Sequence, residues 1–315
     1  MTRLGRRQYL VTAGAVSVGG LVGGCSSSTD RTPGETLTIG SKGLPESRLL
    51  GYLAYEAIGK ATDVDPIDEI GFGGSRDNWD ALVAGDLDLY WEYTGTHFAV
   101  LPPQRTDHPT DPQRLFEAVR ADAADAGIRA YPPAPFDNSF VLLADPEWAA
   151  QTGVETLSEF ARRINAGNTD VRIALGTDFA RRPDGWPRIV DTYEVRADSL
   201  AALESSILEV PLGLTYQLYR DDRATVVMGY ATDPQRSRLG LTLLDDDRDV
   251  FPTYNPTPMA NADAVPADGP VATVLERLGS QIGGFDTIQR LNGRVAIDGE
   301  DPQTVARSFI ERIEI

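Results

Sequence analysis

From Asp86 to Tyr93 the chain alternates strictly. Leu87, Leu89, Trp91 and Tyr93 fall on one side, and Asp86, Asp88, Tyr90 and Glu92 on the other. A period of two over eight residues reads as a strand with one apolar face. Thr94-Gly95-Thr96 ends it. In open α/β sheets ligands bind beyond the carboxyl ends of the strands, so Tyr93 and Thr96 stand where a pocket forms. A second stretch repeats the plan. Leu214 to Tyr219 reads as a helix end and Ala224 to Met228 as a strand, followed by Gly229-Tyr230-Ala231-Thr232-Asp233. Two such units facing each other make a cleft lined by aromatic side chains.

The rest of the chain alternates in the same way. Thr36 to Ser41 reads as a strand. A helix follows from Pro45, with Leu49, Leu50, Leu53, Ala54, Ala57 and Ile58 on one face at helical spacing. Proline suits the first turn. Ile67 to Phe72 is a strand, and Ser75 to Ala84 a helix closed by Gly85. Arg114 to Ala126 is a helix, Ser139 to Ala144 a strand, Val154 to Ala166 a helix and Val171 to Leu175 a strand. From Val271 onward the pattern is helical. Strands alternating with helices imply mostly parallel sheets.

Residues 1–24 read as a targeting segment and stand outside the fold. Arg6-Arg7-Gln8-Tyr9-Leu10 is a twin-arginine signature. The apolar run behind it is too short to span a bilayer. It ends Val22-Gly23-Gly24-Cys25, small residues before the only cysteine, as at a lipoprotein processing site. A lone cysteine allows no internal disulfide and no cysteine metal site. Residues 25–35 form a polar tether, so the mature chain is expected to be lipid-anchored on the outer face of the membrane.

Loss of the leading segment, which carries Arg3, Arg6 and Arg7 and no acid, takes the formal charge from −18 to −21. Lys42 and Lys60 are the only lysines among 29 basic residues. Acid excess with few lysines is the composition expected of a protein from an extreme halophile, because concentrated salt screens the self-repulsion. No basic face speaks for nucleic acid. His97 and His108 lack a metal-ligand spacing, and no nucleophile elbow or P-loop is present. No catalytic residue, metal or cofactor is expected, and His97 reads as a surface histidine.

Five motifs occur in order. They are Ile39-Gly40-Ser41-Lys42-Gly43, then Gly85-Asp86-Leu87-Asp88 through Tyr93-Thr94-Gly95-Thr96, then Phe179-Ala180-Arg181-Arg182-Pro183-Asp184-Gly185. Gly229-Tyr230-Ala231-Thr232-Asp233 and Phe251-Pro252-Thr253-Tyr254-Asn255-Pro256 complete the set. In this order, over residues 36–315, the chain resembles the glycine betaine/choline-binding proteins of osmoprotectant ABC transporters. The resemblance implies an α/β fold: a two-domain, periplasmic-binding-protein-like clam-shell of type II whose chain crosses twice between domains. Domain I takes 36–137 and 251–315, and domain II takes 138–250. Ligand sits in the cleft and the domains hinge shut around it.

The resemblance also implies a site. A quaternary ammonium has no N–H, so aromatic faces hold it by cation–π contact. Tyr93, Phe140, Tyr230 and Tyr254 match the family's aromatic box, with Phe140 where a tyrosine is usual. Lys42, Thr96 and Arg182 match the positions that hold a ligand carboxylate, and the Phe-x-x-Arg-x-Asp-Gly spacing selects Arg182 over Arg181. Asn138 is expected to shape the pocket through its backbone. Trp91, Tyr90 and Tyr216 read as structural. Tyr254 and Arg182 are expected to face the cleft, so truncating either should cost the ligand-free fold little. The implied ligand is glycine betaine or proline betaine, with choline or carnitine as the alternative and an enzyme on the same fold as a rival of another class. The implied partners are ABC permease subunits, and the receptor is expected to be a monomer.

Overall fold

The computed structural model describes residues 36–211 and 213–315. The expected signal, Cys25 and the tether lie outside the described residues.

Two five-stranded sheets organise the chain. The first begins with β1 (Thr36–Lys42), α1 (Pro45–Ala61), β2 (Asp65–Gly73), α2 (Ser75–Ala84) and β3 (Leu89–Tyr93). It continues through α3 (Thr94–Val100), α4 (Pro112–Asp125) and β4 (Ile128–Ala130). The chain then crosses into the second sheet. There lie β5 (Phe140–Ala144), α5 (Pro146–Thr152), α6 (Leu157–Asn165), β6 (Ile173–Gly176), α7 (Thr177–Arg181) and α8 (Trp186–Thr192). After α9 (Ala197–Leu203) come β7 (Ile207–Val210), α10 (Thr215–Arg220), β8 (Val226–Tyr230), α11 (Gln235–Leu239) and β9 (Thr242–Leu244). The return strand β10 (Pro256–Asn261) rejoins the first sheet, and α12 (Pro270–Ile282), α13 (Phe285–Ala296) and α14 (Pro302–Ile310) close the chain.

The strand orders, β2-β1-β3-β10-β4 and β7-β6-β8-β5-β9, are the same plan twice. In each, the strand that enters from the other lobe is the antiparallel one: β10 beside β3 and β4, and β5 beside β8 and β9. Two registers set strand ends level with one another. Phe140 stands opposite Tyr230, and Pro256 opposite Tyr93. The first residue of an incoming strand therefore lies beside the last residue of an outgoing one.

Helix α1 buries the face read from its spacing. Leu49, Leu50, Leu53, Ala54, Ala57 and Ile58 are fully enclosed, between the first sheet and α12, α13 and α14. Each of the leucines and Ile58 contributes roughly 1.5–3 kcal/mol of hydrophobic stabilisation. Two expectations need correction. The strand read from Asp86 begins only at Leu89, and every residue from Leu89 to Tyr93 is buried, so β3 has no solvent face. Its central place between β1 and β10 explains this. The single helix read over Val154 to Ala166 begins only at Leu157. Thr156 caps α6 and forms a capping box with Glu159, while the separate helix α5 ends earlier, at the left-handed Gly153.

Candidate functional site

The carboxyl ends of three parallel strands supply one side chain each. Lys42 ends β1, Tyr93 ends β3 and Tyr230 ends β8. Phe140 opens the antiparallel β5, so its amino end lies level with the end of β8. Thr96 lies in the first turn of α3, and Arg182 caps the carboxyl end of α7. Tyr254 comes from the return crossover. Its N–H donates to Asp137 Oδ1 at 2.6 Å, and its carbonyl accepts from the Asn138 N–H at 3.1 Å, so the two crossovers are bonded side by side. All eight residues singled out for ligand contact line one cavity of about 330 Å³: Lys42, Tyr93, Thr96, Asn138, Phe140, Arg182, Tyr230 and Tyr254.

The rings cluster about Phe140. Its centroid lies 5.5 Å from Tyr230, 5.0 Å from Tyr254 and 4.9 Å from Phe179. Phe251 packs behind it at 5.8 Å. The sequence reading missed Phe179 as a cavity residue, although Phe179 opens the motif that selects Arg182. Gly95 makes room for Tyr254: a Cβ there would meet the ring at 2.8 Å.

Both cavity cations are already paired. Lys42 Nζ donates to Glu92 Oε1 at 2.6 Å and lies 4.3 Å from the centre of the Tyr93 ring. Arg182 forks onto Asp184 through Nε at 2.9 Å and Nη2 at 2.6 Å, and the guanidinium stands 5.1 Å from the Phe140 centroid. Nη2 also reaches Thr96 Oγ1 at 3.4 Å. Nη1 bonds to nothing among the described residues. The Tyr254 hydroxyl donates to Asp184 at 2.7 Å. Burial pulls the Lys42 pKa below the ordinary ammonium value, opposed by Glu92. Burial acts against the Arg182 charge as well, and Asp184 more than offsets it. Burial, with Asp184 and Glu46 respectively, holds the Tyr254 and Tyr93 phenols far above their usual range, so both stay protonated donors. Arg181, the rival to Arg182, is exposed and pairs with Glu209 at 3.0 Å.

Two residues differ from expectation. Asn138 acts through its side chain as well as its backbone. Nδ2 donates to Glu46 at 2.7 Å, and Oδ1 accepts from the Thr232 N–H at 3.3 Å. His97 is wholly buried, not on the surface. Its ring packs edge-on to Trp79 at 4.8 Å, and neither nitrogen has a partner among the described residues. Burial pushes its pKa down to about 4, opposed by Glu92.

The family described as the substrate binding domain of an ABC-type glycine betaine transport system matches residues 35–312. The chain belongs to this family. It is 29% identical over 270 residues to the chemotactic signal transduction system substrate-binding protein CosB of Halobacterium salinarum, across 84% of this chain and 80% of that one. It is 28% identical over 287 residues to a glycine-betaine-binding protein of Pseudomonas aeruginosa, across 88% and 87%. The fold matches a crystal structure of a glycine betaine/carnitine/choline ABC transporter with a TM-score of 0.70 at 21% identity, over 88% of this chain and 98% of that one. As a member of the family, the chain is an extracytoplasmic receptor, not an enzyme. It captures a quaternary-ammonium osmolyte and hands it to the permease subunits of an ABC uptake system.

Proposed function

We propose that the receptor binds glycine betaine or proline betaine, with Tyr93, Phe140, Tyr230 and Tyr254 around the ammonium and Lys42, Thr96 and Arg182 toward the carboxylate. The supporting observation is convergence: residues from six distant segments meet in one cavity between the two sheets. Each ring that faces the ammonium adds about 0.5–2 kcal/mol of cation–π attraction. The free Nη1 of Arg182 and the Thr96 hydroxyl are donors for a carboxylate. The lobes comprise 36–137 with 251–315, and 138–250. They close by hinging at the paired crossovers, which brings Arg182 of one lobe onto Thr96 of the other. Upstream, Cys25 carries the lipid anchor. Continued membrane association of a processed Cys25→Ser protein would refute the anchor.

A second reading, choline as the ligand, has its own support: Lys42 and Arg182 each already hold a carboxylate of the protein. A thermal-shift panel in multimolar potassium chloride separates the two, using glycine betaine, proline betaine, choline and carnitine. A ligand at 100 times its Kd adds about 2.7 kcal/mol of stability. The expected order puts the betaines above choline. A shift with choline alone would replace the first reading with the second, and no shift with any of them would refute both.

A further inference from the structure

Glu46 follows Pro45 in the first turn of α1 and is 6% exposed. Its carboxylate collects four side-chain donors from four distant parts of the chain. The Tyr93 hydroxyl donates at 2.7 Å, Asn138 Nδ2 at 2.7 Å, Asn292 Nδ2 at 2.6 Å and the Thr232 hydroxyl at 2.5 Å. Four donors fill the acceptor sites of an ionised carboxylate. Two of them are amide nitrogens, which cannot accept a proton in return. All four are neutral, and no basic side chain pairs with Glu46 among the described residues.

The charges around the cavity therefore do not cancel. Lys42 is matched by Glu92 and Arg182 by Asp184. Asp137 and Asp233, half-buried, also lack a cation among the described residues, but Glu46 is the most enclosed of the three. Burial pushes its pKa up and the four donors oppose that, a costly arrangement for a charge in a protein interior. Glu46 is bonded to Tyr93, a wall of the aromatic cavity. We propose that Glu46 is the counter-charge to the ligand's quaternary ammonium, acting through Tyr93 to select a cation over a neutral group of the same shape. This inference rests on the aromatic cavity being the ammonium site. A phenol that donates to an anion carries more electron density on its ring, and the anion's own field is weakly screened where water is excluded. Glu46 needs no contact with ligand to act, so it is a positioning and field residue.

The test compares ligands that differ only in charge. Choline is paired with 3,3-dimethylbutan-1-ol, in which carbon replaces the nitrogen. Glycine betaine is paired with 3,3-dimethylbutanoate. Titration calorimetry at fixed high salt gives the affinity ratio within each pair for the wild type and for Glu46→Gln. For a buried charge roughly one ring away, Glu46→Gln is expected to weaken the ammonium member by about 10- to 30-fold while leaving the carbon isostere within about 2-fold. Equal losses for both members of a pair would show that Glu46 only holds the two lobes in shape, and would overturn the proposal. An unchanged ratio would overturn it too. If the wild type binds no quaternary ammonium, the cavity reading fails and this inference falls with it. If the wild type binds and only the ratio is unmoved, the Glu46 inference alone fails. Should Glu46→Gln not fold, Tyr93→Phe keeps the ring and removes its bond to Glu46. The ratio is then expected to fall in the same direction, and no fall would overturn the proposal.

Discussion

Arg182 and Tyr254 both donate to Asp184 Oδ2, and this changes what truncating Arg182 should do. Tyr254→Ala removes a wall of the box and is expected to weaken glycine betaine and choline alike, by about 10-fold or more. Arg182→Ala is expected to weaken glycine betaine far more than choline. It also strands Asp184, which is 4% exposed, so the ligand-free protein should lose about 3 kcal/mol of stability. The sequence reading puts both groups on the cleft and foresees no such loss, because a carboxylate two residues along reads as one acid among many in an acidic chain. Melting curves without ligand check this, and Arg182→Ala with Asp184→Asn should recover part of the loss. An Arg182→Ala protein that melts like the wild type would contradict the buried pair. His97 gives a pH prediction. Burial lowers its folded pKa to about 4, against an ordinary 6.5. A depressed histidine stabilises the fold above the unfolded pKa, and that contribution fades as pH falls from 6.5 through 4. The loss is about 3 kcal/mol. His97→Phe should flatten stability across that window relative to the wild type, measured by denaturant titration. Parallel curves would rule the buried histidine out as the cause.

Local signals define most elements and fail where partners are distant. Helix α2 runs from Ser75 to Ala84 as read, because Gly85 stops it in a left-handed conformation. The apolar face of α1 is legible from spacing alone. The start of α6 is also written locally, as Thr156-Leu157-Ser158-Glu159, but a longer apolar pattern hides it. Thr156→Ala should destabilise the protein by about 1 kcal/mol, because it removes the cap on the Glu159 N–H. An unchanged unfolding midpoint would show that the cap contributes nothing. Two readings fail for one cause: the single apolar face given to the strand, whose Tyr90 and Glu92 are buried too, and the surface position given to His97. These residues lie where β3 and α3 are covered on every side, by β1, β10, α2 and α4. A period of two cannot tell water from a second layer of protein. The four donors of Glu46 are likewise beyond reach: they come from residues 93, 138, 232 and 292, and an acid in a helix's first turn has an ordinary explanation in the helix dipole.

At the scale of the molecule, two sheets with the same strand order meet across one aromatic cavity. Alternating strands and helices announce the mostly parallel sheets. The two crossings come only with the family resemblance, since no local pattern says which lobe a strand joins, and the antiparallel run of β5 and β10 has no signal in the sequence. The formal charge of −18 belongs to this scale as well. At roughly 1 M salt the Debye length is about 3 Å, so repulsion among surface acids is screened. Stability is therefore expected to rise steeply from dilute to multimolar potassium chloride. An unfolding midpoint that ignores salt would contradict the halophilic reading. The most direct test of the aromatic cavity is a crystal structure grown with glycine betaine in high salt. The expected result is a ligand nitrogen within about 6 Å of the Tyr93, Phe140, Tyr230 and Tyr254 ring centroids, with the carboxylate turned toward Arg182 and Thr96. Ligand density outside this cavity, or a nitrogen turned away from the rings, would contradict the assignment.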